Sequence, residues 1–124
     1  MKKTLLIALA VGSLSAQTFA KSGKLSDTVT VAGAIRDHIA LTELLKEPSV
    51  ESHLSGYHVI SFKFYVGRPK QDVNLYKVMG SKPTPEALEY LKGSPSGTRI
   101  VYDEISLSNG RSEVKTSAVI LDLK

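Results

Sequence analysis

Apolar and polar residues alternate at period two along several stretches of the chain, and this pattern predicts strands. Thr28-Val29-Thr30-Val31-Ala32 is a short β-branched run that Gly33 ends. His58 to Val66 is the clearest strand, with Ile60, Phe62, Phe64 and Val66 on one face and Ser61, Lys63 and Tyr65 on the other. Gly67-Arg68-Pro69-Lys70 reads as the turn into a second strand over Asp72 to Met79, making a hairpin. In that second strand the alternation sets Val73 and Leu75 toward the core and Asp72, Asn74 and Tyr76 away from it. A further strand is predicted from Thr98 to Leu107, with Val101, Ile105 and Leu107 on one face and Asp103 as an interruption. Asn109-Gly110 then predicts a hairpin with a type I′ turn, which needs φ > 0 at both central residues. The returning strand spans Glu113 to Leu123. Val119, Leu121 and Leu123 share one face and Ala118 and Ile120 the other, so this strand should lie inside a sheet.

Two segments carry helical spacing instead. Leu41, Leu44 and Leu45 suit one helix face, started by Thr42 or a neighbour and limited by Pro48 to about two turns. Val50 and Leu54, four apart, suggest another helical turn beyond the proline. Thr84-Pro85-Glu86 is a helix start in which Thr84 caps an amide, Pro85 fits the first turn and Glu86 meets the positive dipole end. Leu88 and Leu91 would face the core, and Gly93 would close that helix before the Ser94-Pro95-Ser96-Gly97 turn. The expected fold is α+β and β-rich, a small immunoglobulin-like β-sandwich with short helical insertions.

The N-terminus breaks the alternation. Met1-Lys2-Lys3 is positive, Leu5 to Val11 is apolar, and Ser13 to Ala20 turns small and polar. This is the layout of a secretory signal peptide cut after Ala20. The apolar run is too short to span a bilayer, which takes roughly 20 residues. The expected mature chain is periplasmic or secreted, with no transmembrane segment. Residues 21–27 read as a flexible N-terminus and residues 28–124 as a single domain.

Removal of Lys2 and Lys3 changes the charge. The 16 basic residues become 14 against 12 acidic ones, so the net charge falls from +4 to +2. Lys and Arg are dispersed, with no basic run to track phosphates, and no nucleic-acid partner is expected. The chain has no cysteine, so neither disulfides nor thiol chemistry enter.

Candidate chemistry is sparse. His38, His53 and His58 match no metal-ligand spacing, and Asp37, Glu43, Glu47 and Glu51 are ordinary on a solvated face; no metal is expected. There is no GxSxG elbow for nucleophilic catalysis. Asp103-Glu104 could pair as acid and base, but neighbours on a regular strand point to opposite faces, and a bulge or simple solvation is the plainer account. No catalytic residue and no cofactor is assigned. Among the aromatics, Phe62 and Phe64 belong to the core by their alternation. Tyr65 and Tyr76 fall on the opposite faces of their strands and are the candidate partner-binding residues.

The order of motifs resembles the C-terminal periplasmic domain of the GldM/PorM family of gliding-motility and type IX secretion proteins. The resemblance is carried by Tyr57-His58-Val59-Ile60-Ser61-Phe62-Lys63-Phe64, then Thr84-Pro85-Glu86, then Ser94-Pro95-Ser96-Gly97-Thr98-Arg99-Ile100. Tyr102-Asp103-Glu104-Ile105, Asn109-Gly110-Arg111 and Ser117-Ala118-Val119-Ile120-Leu121 complete it. Family members place a transmembrane helix and a long shaft ahead of this domain, which residues 1–27 do not supply. The resemblance therefore implies the terminal domain's role, contact with cell-envelope proteins, and no catalytic residues. The expected function is a non-enzymatic exported protein-binding module of the envelope or its secretion and gliding machinery. The alternative is a small secreted enzyme or enzyme inhibitor acting through residues 34–57.

Overall fold

The computed structural model describes residues 28–124. The signal segment, its cut after Ala20 and the polar stretch 21–27 lie outside the described residues. The elements in chain order are β1 (Val29–Val31), β2 (Arg36–Ile39), α1 (Leu41–Lys46), β3 (Val50–Ser52) and β4 (His58–Gly67). They continue with β5 (Asn74–Met79), α2 (Pro85–Lys92), β6 (Arg99–Ser108), β7 (Glu113–Thr116) and β8 (Val119–Leu123). Strand makes up 47% of the described residues and helix 14%, in two sheets, so the class is the expected α+β, β-rich and sandwich-like one.

The larger sheet has six strands in the order β2-β8-β6-β4-β5, with β7 also paired to β6. All its pairings are antiparallel except β2 with β8, which is parallel. The inner position expected for the last strand is that of β8, between β2 and β6. Phe62, Phe64, Val66, Ile100, Tyr102 and Leu121 are buried on the inner face of this sheet. Leu44 of α1, Ala87 and Leu91 of α2, and Val29, Val31 and Val50 of the two-stranded β1–β3 sheet pack into the same core. The Tyr102 hydroxyl donates to the Pro48 carbonyl oxygen at 2.8 Å, tying the central strand to the loop after α1.

The local chemistry of α2 is as the sequence predicts. Thr84 accepts from the Ala87 N–H at 3.2 Å, Pro85 opens the helix and Gly93 caps it. Arg68 adds a tertiary lock, donating through Nη2 to the Tyr90 carbonyl at 2.7 Å, with its guanidinium 3.7 Å above the Tyr90 ring. A cation at the carbonyl end of a helix is favoured by the macrodipole.

Four expectations need correction, and one strand lies where none is expected. Val50–Ser52 is strand β3, not a helical turn, because it pairs with β1 and buries Val50 against Val31. Arg36–Ile39 forms β2, which has no hydrophobic periodicity to announce it. The returning strand is two strands, β7 and β8, which pair with successive halves of β6. The Asn109-Gly110 hairpin exists, but only Gly110 has positive φ, at 92°. Its turn is held instead by Asn109 Oδ1, which accepts from the N–H groups of Arg111 and Ser112 at 2.9 and 2.7 Å. The pair of positive φ angles lies at Ala32 (51°) and Gly33 (80°), in the turn closed by Val31 and Ala34. Finally, the inward face of β5 is Tyr76 and Val78, not Val73 and Leu75.

Candidate functional site: the uncovered face of the sheet

The position of this face follows from register. Phe64 is buried and pairs with Tyr76, so the neighbours Tyr65 and Leu75 pair on the opposite side. Among the described residues neither helix nor second sheet covers that side. Cross-strand pairs extend the Tyr65 position in both directions, through Leu75 on β5 and through Val101 on β6, Ile120 on β8 and Arg36 on β2. Leu75, Tyr65, Val101 and Ile120 thus form an apolar row across four strands.

Charged rows flank it. On one side Lys77, Lys63 and Asp103 are cross-strand neighbours. On the other, Arg99 pairs with Asp122, and Asp122 with His38. Arg99 donates to both Asp122 oxygens, at 2.8 and 3.1 Å. That bond holds the Asp122 carboxyl below the usual carboxylate range, with His38 and Arg36 adding to the effect, and raises Arg99 in turn.

A bulge shapes the other flank. Glu104 has φ 47°, and β6 uses three residues where β4 uses two between the Lys63–Asp103 and Ser61–Ser106 pairs. The extra residue shifts the phase of β6. Ile100 and Tyr102 point inward before it, and Ile105 and Leu107 after it. Val101 therefore belongs to the uncovered face, not to the face of Ile105 and Leu107. The bulge also brings Glu104 to Lys63 at 3.0 Å, and this hydrogen bond raises the Lys63 pKa. Asp103 and Glu104 stand at an ammonium, with Asp103 Oδ1 turned back to the Glu104 N–H at 2.8 Å.

Beside the row the face deepens into a trough of about 450 Å³, bounded by Tyr65, Gly67, Val73, Arg99, Val101 and Asp103. Gly67 has no side chain to fill it, and Val73 closes one end, 3.5 Å from where a Cβ on Gly67 would lie. A second hollow, about 500 Å³, lies between Val50 and Val59 and includes His53, Tyr57 and His58. His53 Nε2 is 2.8 Å from Thr30 Oγ1 there. The three histidines do not converge. Among the described residues no three His, Cys, Asp or Glu side chains are grouped to hold a metal ion.

Tyr65 is where the sequence places it, half-buried on the uncovered face. Tyr76 is not. It turns inward, with its ring 6.3 Å from that of Phe64 and 6.4 Å from that of Tyr90. The two candidate residues occupy opposite faces of the sheet. The chain matches no protein-family model and no curated protein. The residues missed by sequence reasoning are Leu75, Val73, Val101 and Ile120. Each is visible as an apolar residue in an alternating run, but its phase depends on a partner strand.

Proposed function

We propose that the chain is a non-enzymatic, exported protein-binding module of the cell envelope, working with cell-envelope proteins of the secretion or gliding machinery. The observation that carries this reading is the uncovered sheet face, with its apolar row of Leu75, Tyr65, Val101 and Ile120 between two charged rows. A tyrosine flanked by aliphatic residues offers contact area at low entropic cost, and rows of both signs give a partner orientation. Such a reading needs neither a cofactor nor a catalytic group. The resemblance to the GldM/PorM C-terminal domain supports the same role, in the periplasm or outside the cell after cleavage following Ala20.

Affinity capture from native envelope tests the proposal. The wild-type domain should retain a specific protein, and Tyr65→Ala should weaken that capture by about 2 kcal/mol with the fold intact. Tyr76→Ala should act through stability instead, since its ring packs on Phe64 and Tyr90. Absence of any partner, together with turnover of a peptide or glycan, would favour an enzyme acting through residues 34–57.

A further inference from the structure

The main strand path of the large sheet ends in β2 and β5, and these two edges differ in chemistry. β2 presents Arg36, Asp37 and His38, all exposed, which is the charged protection common on sheet edges. β5 presents Leu75 and Met79, 46% and 84% exposed, and is preceded by Val73 at 58%. These are the exposed large hydrophobic residues of the described chain, and they sit together on an edge whose one charged residue is Lys77.

The backbone there is poised for pairing. The Gly80 N–H donates to the Ile60 carbonyl at 2.8 Å, which sets the phase of the β4–β5 ladder. Because antiparallel hydrogen-bonding alternates by residue, Asn74, Tyr76 and Val78 bond toward β4, whereas Leu75, Lys77 and Met79 turn their N–H and C=O groups outward. Among the described residues no strand pairs with that side of β5.

Building on the protein-binding reading above, we propose that β5 accepts an extended segment of a partner protein by strand addition. The segment it fits carries a carboxylate with an apolar residue two positions away on each side. Its apolar residues meet Leu75 and Met79, and its carboxylate meets Lys77. The need for that carboxylate is set by the sheet itself. Lys77 lies directly opposite Lys63, a repulsive pairing. Lys63 has its counter-charge in Glu104 at 3.0 Å, but Lys77 is in no ion pair among the described residues. An added strand would also lengthen the apolar row by one position beyond Leu75, so edge and face act as one surface.

A second copy of the chain fits less well. Two-fold pairing centred on Lys77 sets two ammonium groups against each other. Centring on Tyr76 sets each Leu75 against a Lys77 and leaves both ammonium groups without a carboxylate.

The probe is a capped peptide, Thr-Val-Thr-Glu-Thr-Ile-Thr, added at millimolar concentration to the isotopically labelled protein. Amide exchange at Leu75, Lys77 and Met79 should slow by at least about ten-fold, with no change at Arg36, Asp37 or His38. Replacing the peptide's glutamate with lysine should weaken binding by about ten-fold or more, and Lys77→Glu should reverse the preference. Three results would overturn strand addition. One is unchanged exchange at the three β5 amides. Another is a peptide preference indifferent to Lys77→Glu. The third is protection of β5 that grows with protein concentration in the absence of peptide, the sign of a second copy. If the peptide fails while a Tyr65-dependent envelope protein is still captured, strand addition falls and the protein-binding reading stands. Failure of both overturns both.

Discussion

Tyr102 reaches from the middle of β6 to the Pro48 carbonyl at 2.8 Å, and its phenol and that carbonyl are both buried. The bond joins the large sheet to the layer that covers it, and the ring packs at 5.4 Å and 5.0 Å from those of Phe62 and Phe64. Tyr102→Phe keeps the ring and strands the carbonyl without a donor. Such a loss costs about 1–3 kcal/mol. Denaturant unfolding should show a lower midpoint at an unchanged slope, and an unchanged midpoint would contradict the role given to this bond.

Burial also pushes the Tyr102 phenol far above its ordinary range. The folded state therefore binds a proton that the unfolded state releases above about pH 10, the ordinary tyrosine value. Stability from this group is complete below that pH and is lost as pH rises beyond it. In an alkaline titration the Tyr102 phenolate should form only together with unfolding, read by phenolate absorbance alongside circular dichroism. Tyr102→Phe should flatten the alkaline loss.

The phase errors in reading this fold come from contacts distant in sequence. Asp72 to Met79 offers apolar residues on both phases, Val73 and Leu75 against Tyr76 and Val78, and only the pairing of Tyr76 with Phe64 chooses between them. Val101 shares the parity of Ile105 and Leu107, and one extra residue at Glu104 separates their faces. Val50–Ser52 is a strand because β1 lies beside it, some twenty residues earlier. By contrast, the β4 strand with its Phe62, Phe64 and Val66 face, the Thr84 cap, and the split of Val119, Leu121 and Leu123 from Ile120 depend on local pattern and were legible. Ile60 was not, because the register shift between Val59 and Ser61 sets Val59 against the core in its place. Tyr65 could be placed from β4 alone; the row it belongs to required four strands in register.

The hairpin between β6 and β7 should be sensitive at Gly110. Its φ of 92° is one that L side chains rarely adopt, and nothing lies within 4 Å of a Cβ placed there. The cost of substitution is thus backbone strain and not a clash. Gly110→Val should destabilise by about 1–3 kcal/mol. Thermal unfolding checks this, and an unchanged melting temperature would remove the conformational requirement.

The Arg99–Asp122 pair gives an acid-side prediction of opposite sign to that of Tyr102. Asp122 is held below its ordinary pKa, so the unfolded state takes up a proton first as pH falls. Its contribution is present above the usual carboxylate range and is lost as pH falls through the lowered value. Asp122→Asn should lower stability slightly at neutral pH and make the remaining acid dependence shallower. Equal slopes for the two proteins in acid unfolding would contradict the coupling.

Site-directed photo-crosslinking in native envelope tests the central claim, that the uncovered face meets a protein partner. A photoreactive side chain at position 65, on the apolar row, is compared with one at position 53, in the hollow beside Thr30. The account predicts a discrete protein adduct from position 65 and none from position 53. An adduct from position 53 alone, with position 65 left unreacted, would contradict it.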